Sequence, residues 1–428
     1  MLPAKALLFT LILSTASVSV LAQTGTHSPY SRYGLGEVHP QRYGQSRAMG
    51  GVAYGLSGPG MINPANPASY AAVDTLSFLF DVGLTTSRSR YTSGQEPGKA
   101  LINNYAFDHL SLAFHIKPWW VAALGVAPYT KVGYNIKQEL DPIPGVGIVD
   151  VTNKGSGGIN RFFLGSGFRN GPLALGFNLS YLFGTMEQEN SLSFPVDDGS
   201  STTISDNQIR VNRFTLETGV QYTLPLSDRE QLVFGAVVQA RTKMKANREL
   251  ITIAQRKVLS SSGYQMIKED TIALVNEKAK FYLPLSIGLG VTYELDKKWL
   301  VGLDYTHQRW SNTEFPWDGT DLTNTHEFNA GVQYTPDAGV YGNYFKRVRY
   351  RAGVSYLNTN LKLNGKQIRD MHFSLGVGLP LNGNSVLNIA YENGVRGTTS
   401  MGLVRQKYHG LTVSFSFQDI WFRKNLYN

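Results

Sequence analysis

The chain has 428 residues, of which 42% are hydrophobic, 12% aromatic and 17% charged, with a formal net charge of +9 and no cysteine. That composition excludes a bundle of spanning helices, which would be far more apolar, together with disulfides, thiolate metal sites and a cysteine nucleophile. With no compact block of Lys and Arg, the basic balance argues against nucleic acid and for anionic lipid or lipopolysaccharide phosphates as partners.

In chain order, residues 1–22 read as a secretory signal. Lys5 supplies the positive start, Ala6–Leu13 the apolar run, and Val20-Leu21-Ala22 the cleavage site. Residues 23–73 are rich in Gly, Pro, Ser, Tyr and Asn and show no sustained alternation. From residue 74 to 428 the pattern becomes period-2 segments separated by turn residues, which sets one face against lipid and the other toward a lumen. Leu76, Phe78, Phe80, Val82 and Leu84 share a face, as do Leu173, Leu175, Phe177, Leu179, Tyr181 and Phe183. Leu283, Leu285, Ile287, Leu289, Val291 and Tyr293 form a third such run, and Leu411, Val413, Phe415 and Phe417 a last one.

Fourteen segments follow, near 74–86, 106–117, 120–137, 157–169, 172–187, 206–224, 231–250, 279–295, 299–313, 324–335, 347–360, 366–379, 384–397 and 405–418. Short connections such as Lys117-Pro118-Trp119 and Asp296–Lys298 alternate with longer ones at 87–105, 138–156, 188–205 and 251–278. Short turns inside and long loops outside are the outer-membrane arrangement. Trp119, Trp120, Trp299 and Trp421 fall at inner strand ends and Trp310 and Trp317 at the outer end, where amphipathic rings belong. The expected fold is all-β, a 14-stranded antiparallel transmembrane β-barrel with an N-terminal plug, or hatch, at 23–73.

Alternation turns Asp81, Glu217, Arg241, Asp304, Arg349, Arg351, His372, Asn388 and Glu392 into the lumen. Buried ionisable groups need partners, so one reading is a salt-bridged interior that holds the hatch. The other is a selectivity lining, with Arg349 and Arg351 as a carboxylate-binding pair. The eight His show no metal spacing and no Gly-x-Ser-x-Gly elbow is present, so neither a metal, a cofactor nor a catalytic residue is expected. Gly165-Ser-Gly167, Gly288-Leu-Gly290 and Gly376-Val-Gly378 sit inside alternating strands. They are read as space for the hatch backbone against the wall rather than as phosphate loops.

The stretch Ser46-Arg47-Ala48-Met49-Gly50-Gly51-Val52-Ala53, followed by Asn63-Pro64-Ala65 and Asn66-Pro67-Ala68, resembles the N-terminal region of FadL-type outer-membrane transporters. Phe281–Tyr293 is similar to a Leu-Pro…Gly…Tyr strand of that family. The resemblance implies a plugged barrel that takes up hydrophobic small molecules such as long-chain fatty acids. Its site residues would be the hatch positions Met49, Gly50, Gly51, Asn63, Pro64, Ala65, Asn66 and Pro67. It also implies a kink in the third strand that opens the wall sideways, and here Gly125 and Pro128 occupy that strand. Pro removes a ladder donor, so a bulge without passage is the other reading of Pro128. Ser69-Tyr70 and the leader Ser28–Gly36 depart from the transporter pattern. The same superfamily contains barrel subunits of secretion machinery. A non-transporting subunit of an outer-membrane complex, with a protein partner on the long loops, is therefore the alternative. A lumen continuous with the third strand favours the first role; one filled by hatch and ion pairs favours the second.

Overall fold

A computed structural model describes residues 26–420 apart from 76, 95–98, 144–146, 195–200, 261–262, 338, 340–342 and 382–384. The expected signal at 1–22, Leu76 and Trp421 lie outside the described residues.

Fourteen antiparallel strands form the wall. They are β1 Ser77–Ser93, β2 Lys99–Lys117, β3 Trp120–Ile143, β4 Gly147–Asn170, β5 Leu173–Ser193 and β6 Ser201–Ser227. Next come β7, interrupted into Glu230–Gln239 and Thr242–Ser260, and β8, interrupted into Gly263–Leu283 and Ser286–Leu295. The rest are β9 Trp299–Gln308, β10 Thr325–Tyr334, β11 Arg349–Leu363, β12 Lys366–Pro380, β13 Val386–Gly397 and β14 Val404–Ile420. Each pairs with its neighbour, and β14 pairs with β1 from Val404↔Ser93 to Ile420↔Ser77, which closes the barrel. Closure pairs each strand of the wall with the next along at least part of its length, which suits a sheet that spans a bilayer.

The alternation places apolar side chains outward where the sequence puts them. Leu164, Leu175, Leu179, Leu216, Phe234, Leu289, Leu303, Val354 and Leu375 are exposed around the wall, while their chain neighbours face inward. A three-residue turn, Asp296–Lys298, closes the inner β8–β9 hairpin, and a two-residue turn, Asn364–Gly365, closes the outer β11–β12 hairpin. Asp296 and Lys297 adopt φ 55° and 57°, and Asn364 and Gly365 adopt 49° and 75°. These paired left-handed residues match the twist of the strands they join. At the inner rim Trp119, Trp120 and Phe168 stack on one another, and Trp299 lies 4.3 Å from the Tyr334 ring.

The structure departs from the sequence reading in three ways. The segments expected as long loops at 87–105, 138–156, 188–205 and 251–278 are mostly strand, the outer parts of four hairpins, the last of them Thr242–Ser260 paired with Gly263–Leu283. Among the described residues of 251–278 none is buried, so this part carries no apolar alternation to read. Second, the run Leu283–Tyr293 does not keep one face. Leu283 is fully buried inward whereas Leu289 points out, because the phase flips at Pro284–Leu285, opposite the matching break at Ala240–Arg241. Third, Trp310 is not an interfacial ring. It is 2% exposed, packed inside, and donates from Nε1 to Gln308 Oε1 at 2.8 Å.

Candidate functional site: the occupied lumen

Residues 26–75 line the inner wall as an irregular girdle with short helical turns at Pro29–Arg32, Gly44–Ala48 and Pro67–Ala72. Inward glycines let the two backbones touch. A β-carbon at Gly176 of β5 would lie 2.3 Å from the Pro67 carbonyl carbon, and one at Gly235 of β7 would lie 2.0 Å from the Tyr54 oxygen. At Gly302, Gly331, Gly353 and Gly376, on β9, β10, β11 and β12, the same atom would meet Val52, Met49, Gly50 and Ala48 within 2.6 Å. Gly165 and Gly167 accommodate Tyr70 and Ala71. From β4 to β12 the girdle residues met by these glycines fall broadly from Ala71 to Ala48 as the wall strands ascend. Of the three wall Gly-x-Gly pairs singled out, five glycines face the girdle, and Gly378 instead faces the Arg351 guanidinium.

The Asn-Pro-Ala repeats stitch this segment together. Asn63 Nδ2 donates to the Ala53 and Leu56 carbonyls at 2.7 and 3.1 Å. Asn66 Nδ2 donates to Tyr54 O at 2.7 Å, and its Oδ1 accepts from the Ala68 amide at 3.1 Å, capping the turn that Pro67 opens. Asn178 of β5 donates to Pro64 O at 3.0 Å, Ala65 borders the cavity above the girdle, and Met49 is fully buried. Gly50 and Gly51 adopt φ +67° and +91°, and the Gly50 amide donates to Ser374 Oγ at 2.7 Å.

Ion pairs clamp the girdle to the wall. Arg42 makes a two-pronged contact with Glu327, at 2.5 and 2.8 Å, and both side chains are nearly buried. Arg47 reaches Asp108 at 2.7 Å and Glu392 at 3.3 Å. Glu37 meets Arg396 at 2.6 Å, and Arg396 meets Asp370 at 2.7 Å. Asp304 accepts the amides of Ala53 and Tyr54 at 2.6 and 2.9 Å. Asp81 bonds His109 and Ser416, and His109 in turn bonds Asp108 at 2.8 Å and stacks on Tyr43 at 3.5 Å. Arg161 pairs with Glu217 at 2.6 Å within the wall.

The predicted lumen residues are thus mostly inward, and one is not. Arg241 is exposed, with its guanidinium 4.0 Å from the Tyr282 ring centre, because the phase flip at Ala240–Arg241 carries it out of the lumen. Arg349 and Arg351 do not form a joint fork. Arg351 is buried and donates to Gln333 and Asn388, whereas Arg349 borders a separate crevice beside Tyr43 and Asn388. His372 lies beside the Tyr408 ring. Sequence reasoning missed Arg42, Arg47, Asp108, His109, Arg161, Glu327, Asp370 and Arg396. Among the described residues no group of three His, Asp or Glu side chains is arranged for a metal.

Above the girdle the lumen is capped. The inner faces of β3 to β8 beyond the membrane band carry Tyr134, Ile159, Leu182, Met186, Val211, Met244 and Phe281, which pack with Leu35, Trp310, Phe315 and Leu322 into one apolar core. Between this cap and the girdle lies a cavity of ≈ 200 Å3, whose lining includes Arg42, Arg161, Glu217, Gln239, Gln308 and Glu327. On the wall beside it, β2 and β3 pair only from Lys117↔Trp120 to Leu110↔Val126. Beyond Gly125, and from Pro128 on, the β3 edge is instead covered by the N-terminal segment. Glu37 and Val38 pair with Lys131 and Thr130, the His39 amide donates to Tyr129 O, and Gln41 donates to Pro128 O.

A family model described as BamG matches residues 4–428. The chain belongs to the BamG family. No curated protein matches it. Solved structures share its fold at low identity. They include a FadL homologue of Pseudomonas aeruginosa, with TM-score 0.57, 14% identity, and 90% of this chain and 99% of that one covered. The toluene transporter TodX of Pseudomonas putida matches with TM-score 0.54 and 15% identity over 90% and 99%. The toluene transporter TbuX of Ralstonia pickettii matches with 0.52 and 13% over 88% and 98%. This BamG-family chain is therefore an outer-membrane-type barrel of FadL-like fold.

Proposed function

We propose that this protein is a closed barrel that serves as a structural subunit of an outer-membrane assembly or secretion complex, with 23–73 as its permanent plug. One observation carries the reading: the N-terminal girdle is bonded to wall strands around the lumen, and a packed apolar core caps the lumen outside. A conduit must move such an obstruction at every turnover. Here that means breaking several nearly buried ion pairs, each expensive to break on one side only. Extraction in mild detergent tests the reading. A partner protein retained at fixed stoichiometry supports it, and a barrel that leaves the membrane alone, carrying lipid-tail compounds, counts against it.

A second reading is uptake of hydrophobic compounds with lateral release at Gly125–Pro128. It is favoured by the unpaired stretch of wall between β2 and β3 beyond Val126 and by the adjacent cavity. Arg161 and Glu217 share that cavity's lining with Tyr129, Val237, Leu357 and Ile368, a mixture that suits an amphipathic ligand better than a wholly apolar one. The N-terminal residues bonded along the β3 edge occupy the gap through which it would leave.

A further inference from the structure

On the outside of the barrel the apolar wall ends and a basic surface begins at one height across three adjacent strands. On β6 the outward residues run from Leu216 and Phe214 (61% exposed) to Asn212 and Arg210. Along β7 they pass from Phe234 and Val238 to Arg241, Lys243 and Lys245. On β8 they pass from Leu289 to Tyr282, Lys280 and Lys278. The inward neighbours Met244, Ala246, Ala279 and Phe281 are buried, so the lysines all face away from the barrel.

The register sets like charges side by side. Lys280 lies directly across from Lys245, Lys278 from Asn247, and Lys243 from Tyr282. Directly opposed side chains on a sheet start about 5 Å apart, and like charges there destabilise the pairing. No acid stands beside the Lys245–Lys280 pair. Glu277 is held by Arg248 at 2.8 Å and Glu269 by Arg256 at 2.5 Å, while Glu249, across from Asn276, lies diagonal to Lys278 but four register pairs from Lys245–Lys280. Among the described residues none of the four lysines makes an ion pair. A smaller cluster recurs elsewhere on the wall, where Lys407 faces Arg90 above outward Leu84 and Leu411.

We propose that Lys243, Lys245, Lys278 and Lys280, with Arg210 and Arg241 at the rim, bind the phosphate of an outer-leaflet glycolipid. The acyl chains would lie on Phe214, Leu216 and Val238 directly below. Repulsion between Lys245 and Lys280 is relieved when an anion sits between them, and the step from apolar to basic residues marks the depth at which a lipid phosphate lies.

The test uses the full-length protein in mild detergent and three probes: phosphorylated lipid A, its dephosphorylated form and inorganic phosphate. Native mass spectrometry reads binding. The wild type is expected to hold phosphorylated lipid A roughly tenfold or more tightly than the dephosphorylated form, and to lose that preference when all four lysines become glutamine. Lys280→Gln alone should raise the melting temperature in lipid-free detergent, because it removes repulsion, while weakening lipid A binding; this variant also serves if the fourfold one does not fold. Equal lipid A affinity for variant and wild type would overturn the site. So would a fall in the lipid-free melting temperature of Lys280→Gln. Inorganic phosphate competing at the same concentration as lipid A would overturn the lipid assignment in favour of a soluble anion.

Discussion

Replacing Arg42 by alanine isolates the strongest clamp between girdle and wall. The Arg42 guanidinium grips both Glu327 oxygens, at 2.5 and 2.8 Å, with side chains only 10% and 13% exposed. Burial alone would lower the Arg42 pKa, but the Glu327 carboxylate more than offsets it and holds the value above the ordinary one. Alanine leaves a nearly buried carboxylate without its cation, which costs about 3–5 kcal/mol. At about 1.4 kcal/mol per factor of ten, local detachment of the segment near Arg42 becomes roughly 100- to 4000-fold more frequent. Hydrogen exchange in detergent reads this at the Gly50 and Val52 amides, which are bonded to Ser374 and Met49. The double variant Arg42→Met, Glu327→Met removes both charges and should recover most of the protection, since no unpaired charge remains. Exchange in Arg42→Ala within twofold of wild type would refute the clamp, and so would a double variant no better than the single one.

Other positions give sharper or smaller effects. Gly176→Val forces side-chain atoms into the Pro67 backbone and should destabilise the folded barrel by about 1–3 kcal/mol or more, read as a lower thermal midpoint of heat-modifiable gel mobility. Gly58→Ala, where nothing lies within 4 Å, should stay within about 0.5 kcal/mol in the same assay. Asn66→Ala removes the bonds to Tyr54 O and the Ala68 amide and should cost about 2 kcal/mol, seen as earlier proteolysis within 54–72.

The fourteen strands were readable because lipid on one face and lumen on the other impose a period of two. Leu175, Leu179 and Leu216 obey it. Where that contrast vanishes the signal vanishes, which is why 251–278 reads as loop. Pro284 was visible in the sequence as a lost ladder donor. Its consequence, a flip of face that buries Leu283 and exposes Arg241, depends on the facing break in β7 and was not. The hidden clamp at Asp108–His109 has a similar cause. A register shift between Gly83↔His109 and Leu84↔Phe107 makes room for both side chains inside, whereas strict alternation admits only one of two neighbours. Asn63 and Asn66 stood out by their repeat. Arg42 and Arg47 did not, because an arginine in an irregular segment acquires meaning only from the wall carboxylate it meets.

Solute flux through single barrels in planar bilayers and liposomes tests the closed lumen most directly. The intact protein should show neither ion conductance nor accelerated entry of a labelled long-chain fatty acid. Fatty-acid entry through the intact barrel well above that of empty liposomes would contradict the account.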